Sequence, residues 1–169
     1  MADDDWTQIL RDPPPDTSPI RGFRGAYFFL SNTWVGPGSE VWIDGILAPT
    51  TEHGYHMLKT LDIDYRRKIA AAPTPLEAKR LGGPARLKNL RPGWNSELRR
   101  QAMDFVVLQK FAIGRPLLPW LLRTGERHLE EANNWGDRFW GTVGGEGENN
   151  LGETLMRTRA LRRAEMLRG

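Results

Sequence analysis

Glu52, His56 and Lys59 set a carboxylate, an imidazole and an amine at intervals of four and three residues. On a helix that spacing stands the three side chains on one face, about a turn apart, as a polar stripe with acid and base capacity. Thr50 or Thr51 can cap such a helix and so place Glu52 in its first turn, where the helix dipole favours the ionised carboxylate. A charged glutamate held there suits a base, a nucleophile or a clamp on sugar hydroxyls. The plainer alternative is an exposed helix whose charge pairs only support it.

Further along, Asn134, Trp135, Gly136, Asp137, Arg138, Phe139, Trp140 and Gly141 precede a loop at residues 144–150 rich in glycine, glutamate and asparagine. Rings, carboxylates and glycines that let backbone approach a ligand give this stretch the look of a site. As a phosphate cradle it is weak, because no P-loop lysine follows and Glu146 and Glu148 repel phosphate. Trp94, between Arg91 and Asn95 and just ahead of a helix, is either core or a plate on which a base stacks. His53, His56 and His128 are too few and too badly spaced for a metal centre. No Gly-x-Ser-x-Gly elbow supports a serine hydrolase. Neither metal nor cofactor is expected.

The elements that must carry these residues can be read from patterning. Residues 26–30 form a short aromatic run that reads as a buried strand. Residues 41–43 and 46–48 flank Asp44 and Gly45, a strong hairpin signal, so a small antiparallel sheet follows. From residue 51 the chain turns helical. A second helix covers about 62–71, and Thr74, Pro75, Leu76 and Glu77 make a capping box for a third that Gly82 and Gly83 stop. Asn95 or Ser96 caps the longest helix, to about residue 111, and residues 117–122 make another up to Gly125. Residues 129–132 read as a strand end. Asn150 to Glu153 read as a second capping box, opening a last helix with Leu151 and Leu155 inward and arginines outward.

The 169 residues fit one domain of ordinary size, enough to bury about two-thirds of the unfolded surface. Cysteine is absent, which excludes disulfides, thiolate metal sites and a cysteine nucleophile. No apolar run approaches a membrane span and the start lacks the regions of a signal peptide, so a cytoplasmic protein without membrane association, a monomer or weak oligomer, is expected. Residues 1–20 carry five aspartates against Arg11 and four prolines, and read as a flexible acidic leader to an ordered domain at 21–169. The formal charge of +3 thus hides a body of +7, with arginine clusters at 66–68, 99–100 and 157–168. Such a field favours phosphorylated ligands or nucleic acid, unless the clusters are merely solvated helix faces.

Taken together, these residues resemble the NADAR family, named for links to NAD and ADP-ribose metabolism and including N-glycosidases associated with riboflavin biosynthesis. The resemblance runs from Phe23 to about Arg162. It is carried by Phe23, Arg24, Gly25 to Phe28, Phe29, Leu30, Ser31, Asn32; by Thr51, Glu52, His53, Tyr55 and Lys59; and by Ala78, Lys79, Leu81, Gly82. Trp94 ahead of Met103, then Lys110, Phe111, Leu121, Leu122, Thr124, Gly125, Asp137, Trp140 and Gly141 continue it, and Gly147, Asn149, Leu151, Gly152, Leu155, Met156 and Arg159 close it. His56 stands where the family usually has glutamine.

The resemblance implies a compact α+β domain, mostly helical, that cleaves N-glycosidic bonds. Some members hydrolyse early riboflavin intermediates and others remove ADP-ribose from guanine. By position it implies catalytic roles for Glu52, Lys59 and Asp137, and substrate binding by Phe29, Ser31, Asn32, His53, Trp94, Trp140, Gly141, Gly147 and Asn149. The implied partner is an ADP-ribose-containing nucleotide or ADP-ribosylated DNA, with a DNA ADP-ribosyltransferase toxin as pathway-level counterpart to an antitoxin. The alternatives are an N-glycosidase of riboflavin-pathway intermediates or other aminated ribose phosphates, and a silent ADP-ribose or NAD binding module.

Overall fold

A computed structural model describes residues 16–168; the first fifteen residues of the expected leader lie outside the described residues. Contacts divide the chain into two compact groups, residues 31–110 and the residues flanking them on either side. Among the described residues the structure is α+β and mostly helical, with a two-stranded antiparallel sheet as expected and a two-stranded parallel sheet in addition.

In the central group, β2 (Val41–Ile43) pairs antiparallel with β3 (Ile46–Ala48), Ile43 opposite Ile46. Asp44 and Gly45 both take positive φ, 48° and 78°, the conformation a two-residue hairpin turn requires. Alternation buries Val41, Ile43 and Ala48 and exposes Trp42 and Leu47. Four helices follow: α1 (Thr51–Met57), α2 (Ile63–Ala70), α3 (Pro75–Leu81) and α4 (Ser96–Lys110). Thr50, Asp62 and Thr74 cap the first three, each accepting a backbone N–H three residues on, and Asn95 Oδ1 accepts from Leu98 N–H ahead of α4.

The central helix is α1, which packs on α2, α3, α4 and the hairpin. Every residue of it except Glu52 is buried, so it is not the exposed helix of the plainer reading. Gly54 makes this possible, because a Cβ there would stand 3.2 Å from Val106 Cγ1 and closer still to Val41. Arg66 fixes the far end. Its Nε donates to the Met57 and Thr60 carbonyls, and its guanidinium pairs with Asp44 in the hairpin turn. Arg66 is therefore a buried clip and not part of a solvated basic face.

In the flanking group β1 (Ile20–Arg21) pairs parallel with β4 (Leu129–Glu130). Asp16 and Ser18, just before β1, are held by the Arg127 guanidinium. The aromatic run read as a strand is instead a 3-10 helix, Gly25–Leu30, with Phe29 and Leu30 buried and Ala26 and Phe28 exposed. A short apolar run has no period that separates strand from helix; tertiary contact decides it, here through Arg127, which stacks 5.3 Å over the Tyr27 ring and donates to its hydroxyl.

Two helices complete this group, α5 (Leu118–Arg123) and α6 (Asn150–Arg168), the latter and not α4 being the longest of the described helices. Asn150 is the first helical residue of α6 rather than its cap, and its amide donates to the Phe139 carbonyl. Of the expected outward arginines, Arg157 and Arg168 are exposed and the other three are corrected. Arg159 is buried, donating to Thr124 Oγ1 and the Arg127 carbonyl, while Arg162 and Arg163 reach the Phe111 and Gly125 carbonyls. These side chains satisfy backbone carbonyls, which is structural work.

Candidate active site

The first turn of α1 is anchored before its side chains act. Asn32 O accepts both the Glu52 N–H, at 3.0 Å, and the Thr51 hydroxyl. Ser31 O accepts Lys110 Nζ at 2.8 Å, so the segment expected to line a pocket ties α1 to the end of α4. Lys110 is fully buried, and burial lowers its pKa to about 7. Asn32 is itself buried, its Nδ2 on Met103 Sδ and its Oδ1 without a hydrogen-bond partner.

At the centre, Glu52 Oε1 accepts from His56 Nε2 at 3.1 Å, the two side chains only 12% and 5% exposed. Burial works against the charge on Glu52, but the His56 hydrogen bond and the nearby Lys79 and Lys59 outweigh it and leave its pKa lowered. Glu52 is ionised at neutral pH. For His56, burial outweighs the pull of Glu52 and lowers the pKa, so the ring is neutral. Since a carboxylate only accepts, the proton is assigned to Nε2. His56 Nδ1 is then a buried acceptor with no partner, set against Gly82.

Lys59, expected as the third member of a helical stripe, lies instead in the turn two residues past the end of α1, where it donates from Nζ to Gly82 O at 3.0 Å and stands 5.4 Å from the centroid of the Tyr55 ring. Burial lowers its pKa to about 8 against the opposing pull of Glu52, with Arg99 and Lys79 adding to the lowering. At pH 7 roughly a tenth of such a lysine is free amine. Tyr55 also meets the His56 ring edge-on at 5.2 Å and the Trp94 ring at 5.9 Å. Trp94 is half-buried, brought here by Arg91, whose N–H donates to Lys59 O and whose guanidinium donates to Leu58 O.

Among the expected site residues, then, Glu52, Lys59 and Trp94 come together. His53, expected to bind substrate, is a strut: Nδ1 bonds Thr50 Oγ1 at 2.8 Å and Nε2 bonds the Ala72 carbonyl at 3.1 Å. His56 as partner of Glu52 is present in the spacing. Lys79, Gly82 and Arg99 are not, because α3 and α4 bring them from twenty or more residues away and no local period marks them.

The remaining expected residues belong to the flanking group. Phe29 is buried edge-on to Phe111 and Trp120. Asp137 Oδ1 accepts the N–H groups of Phe139 and Trp140, fixing the turn on which Trp140 sits half-buried against Phe139. Asn149 holds a positive φ of 52° and bridges Glu131 N–H and Leu129 O. A Cβ on Gly141 would come 2.8 Å from Asn133 Nδ2, and one on Gly147 3.0 Å from Arg138 O. These two glycines make room for the protein's own chain. An apolar hollow lined by Ile113, Pro116, Leu118, Pro119 and Met166 has Arg115 as its charged member and offers no acid or base.

Residues 22–162 match the NADAR domain. N-glycosidase YbiA of Escherichia coli is 37% identical over 118 residues, 69% of this chain and 72% of that one. The NMR structure of the same E. coli protein superposes with a TM-score of 0.77 at 32% identity, covering 93% of this chain and 92% of the other. A riboflavin biosynthesis protein of Vibrio vulnificus, VVA0006, is 34% identical over 132 residues, 78% of this chain but 34% of that longer protein. With a domain match over most of its length and a relative of this similarity, the chain belongs to the NADAR family.

Proposed function

We propose that this protein is an N-glycosidase that separates a base from C1′ of a phosphorylated ribose, its substrate being ADP-ribose joined to guanine in DNA or in a guanine nucleotide. The observation that carries the reading is an ionised Glu52 held by His56 beside an amine, Lys59, that is partly neutral at pH 7. Membership of the NADAR family and the N-glycosidase relative support the bond class. Cleaving this bond develops positive charge on the sugar and leaves the base needing a proton. An ionised carboxylate supplies the first requirement by facing the oxocarbenium carbon or its hydroxyls. Water delivers hydroxide to C1′ and the base departs protonated.

Lys59 admits a covalent variant. Once the ribose ring opens and C1′ is an imine of the base, the free amine of Lys59 adds to C1′ and the protonated base leaves. Water then hydrolyses the lysine imine, the sugar aldehyde recloses and the amine is regenerated. Trp94 supplies a ring for stacking a base, and Lys59, Lys79 and Arg99 give a positive surround suited to phosphate. None of this rests on the residues of the flanking group.

A second reading, an N-glycosidase of aminated ribose phosphates in riboflavin synthesis, is favoured by the likeness to the Vibrio protein. Incubation with guanine-ADP-ribosylated oligonucleotide, with ADP-ribosylated guanosine nucleotide and with the riboflavin intermediates, followed by mass detection of released base and sugar, tests both. Release of ADP-ribose from the guanine substrates is the expected result. Cleavage of the aminated ribose phosphates alone selects the second reading, and ADP-ribose binding without turnover of any of these would overturn both in favour of a binding module. A DNA-directed enzyme will also lose activity steeply with salt, because phosphate contacts release counterions.

A further inference from the structure

We propose that His56 is the positioning residue of Glu52, a fixed hydrogen-bond donor that keeps the carboxylate ionised and aimed, and not a proton-transferring group itself. The inference rests on the reading of Glu52 as the working carboxylate. Its observations are geometric. Nε2 faces Glu52 Oε1 at 3.1 Å, and on the other side of the ring Nδ1 is sealed from solvent with no partner. What seals it is Gly82 at the end of α3, where even a methyl group would stand 2.7 Å from both Cβ and Cγ of the histidine.

A base must have somewhere to receive its proton. A second proton on His56 would sit on Nδ1 against Gly82 with nothing to accept it, a buried unsatisfied donor. Turning the ring over would put carbon against the carboxylate and forfeit the hydrogen bond. One proton therefore has one place. The charged groups around the pair are consistent with a fixed arrangement: Lys59 from the turn after α1 and Lys79 from α3 act on both Glu52 and His56, and Arg99 from α4 bears on Lys59. From α2, Arg66 is committed to carbonyls and Asp44, and the hairpin meets α1 with Val41 and Ile43 at Gly54. With Oε1 occupied, Oε2 is the oxygen left to meet a sugar hydroxyl, C1′ or a water.

NMR on the full, 13C/15N-labelled chain tests this without a substrate. There are three histidines to assign, and the spectra of His128→Gln and His56→Gln assign them by difference, leaving the remaining signals to His53. The expected result is a protonated Nε2 and an unprotonated Nδ1 on His56, unchanged from pH 5.5 to 8, with the Glu52 carboxyl titrating below the ordinary glutamate value. In His56→Leu the Glu52 titration should rise by about one pH unit or more, as loss of a donor to the charged form requires. His56→Gln, which keeps an N–H donor, should restore most of it at equal melting temperature. On a substrate that is turned over, the acid limb of kcat/KM should move in the same order.

A proton on Nδ1, a His56 that titrates between pH 5.5 and 8, or a Glu52 titration unmoved by His56→Leu overturns the proposal. Should the leucine variant not fold, the wild-type tautomer and the Gln variant decide by the same criteria. If the wild type cleaves no candidate, the glycosidase reading fails, while the titrations still decide whether His56 holds Glu52 ionised.

Discussion

Gly82→Ala adds one methyl group and is expected to damage the site out of proportion to its size. Gly82 ends α3 with φ −80° and ψ 2°, a conformation alanine adopts freely, so no backbone strain enters. The whole effect is collision. A Cβ would lie 2.7 Å from His56 Cβ and Cγ, closer than real carbons approach, and the atoms it meets are the root of a buried ring and not the end of a flexible chain. Either the ring leaves or α3 backs away from α1. Overpacking of this kind costs about 1–3 kcal/mol, and loss of a hydrogen bond to a charged group about 1.5–3 kcal/mol if the ring is what moves. For a chain of this length, about 1–3 kcal/mol lowers the melting temperature by about 2–12 °C. Because Lys59 Nζ is tied to Gly82 O, turnover should fall at least tenfold as well. The control is Gly83→Ala, whose Cβ would meet only Arg80 O at 3.3 Å and Lys79 O at 3.5 Å. Calorimetry and initial rates on both variants make the comparison. If Gly82→Ala melts and turns over like Gly83→Ala, the packed His56 slot does not exist as described.

Glu52→Gln keeps size and removes charge, and turnover should drop on the order of 100-fold with an unchanged circular dichroism spectrum; wild-type rates would remove Glu52 from the mechanism. Trp94→Ala should weaken binding of the base-containing ligand by about 1–3 kcal/mol by titration calorimetry, with Trp94→Phe recovering part; an alanine variant that unfolds while Trp94→Phe leaves activity unchanged would make the residue core. If Lys59 attacks C1′, borohydride during turnover traps a ribose adduct on it, Lys59→Arg is inactive, and kcat/KM rises about tenfold per pH unit up to a bend near its pKa of about 8. An active Lys59→Arg with no adduct leaves the water route. Lys110 is neutral when folded above a pKa of about 7 but stays protonated in the unfolded chain to about pH 10.4, so the unfolded state binds the extra proton and stability should rise with pH across that window. Lys110→Met should flatten the slope by about 1.4 kcal/mol per pH unit at most, and an unaltered slope in denaturant titrations at pH 7, 8 and 9 refutes the buried neutral amine.

What can be read from the chain divides by the range of the forces involved. Caps, the hairpin turn and helix limits are set within four residues, and Thr50, Asp62, Thr74, Asn95 and the Asp44–Gly45 pair do what their types require. The Glu52, His56 pair is legible for the same reason, while Lys59 falls in the turn past the end of α1. Residues 26–30 mislead because a five-residue apolar run fits strand or helix until a distant arginine chooses, and Arg127 is a hundred residues from Tyr27. Three of the α6 arginines, Arg159, Arg162 and Arg163, mislead because a guanidinium is as able to satisfy backbone carbonyls as to face water, and charge alone does not distinguish the two. The same limit applies to the site itself. One helix and the turn that ends it supply an acid and an amine. What makes them chemically useful is that α1 is buried on nearly all sides, which removes water from Lys59 and lowers its pKa, while Lys79 from α3 and the imidazole lodged against Gly82 keep Glu52 charged in the same environment. Burial alone would neutralise both groups. The opposed outcomes, an acid that stays ionised and a base that partly loses its proton, come from α3 meeting α1 at a glycine, and that meeting is a property of the fold rather than of any segment read by itself.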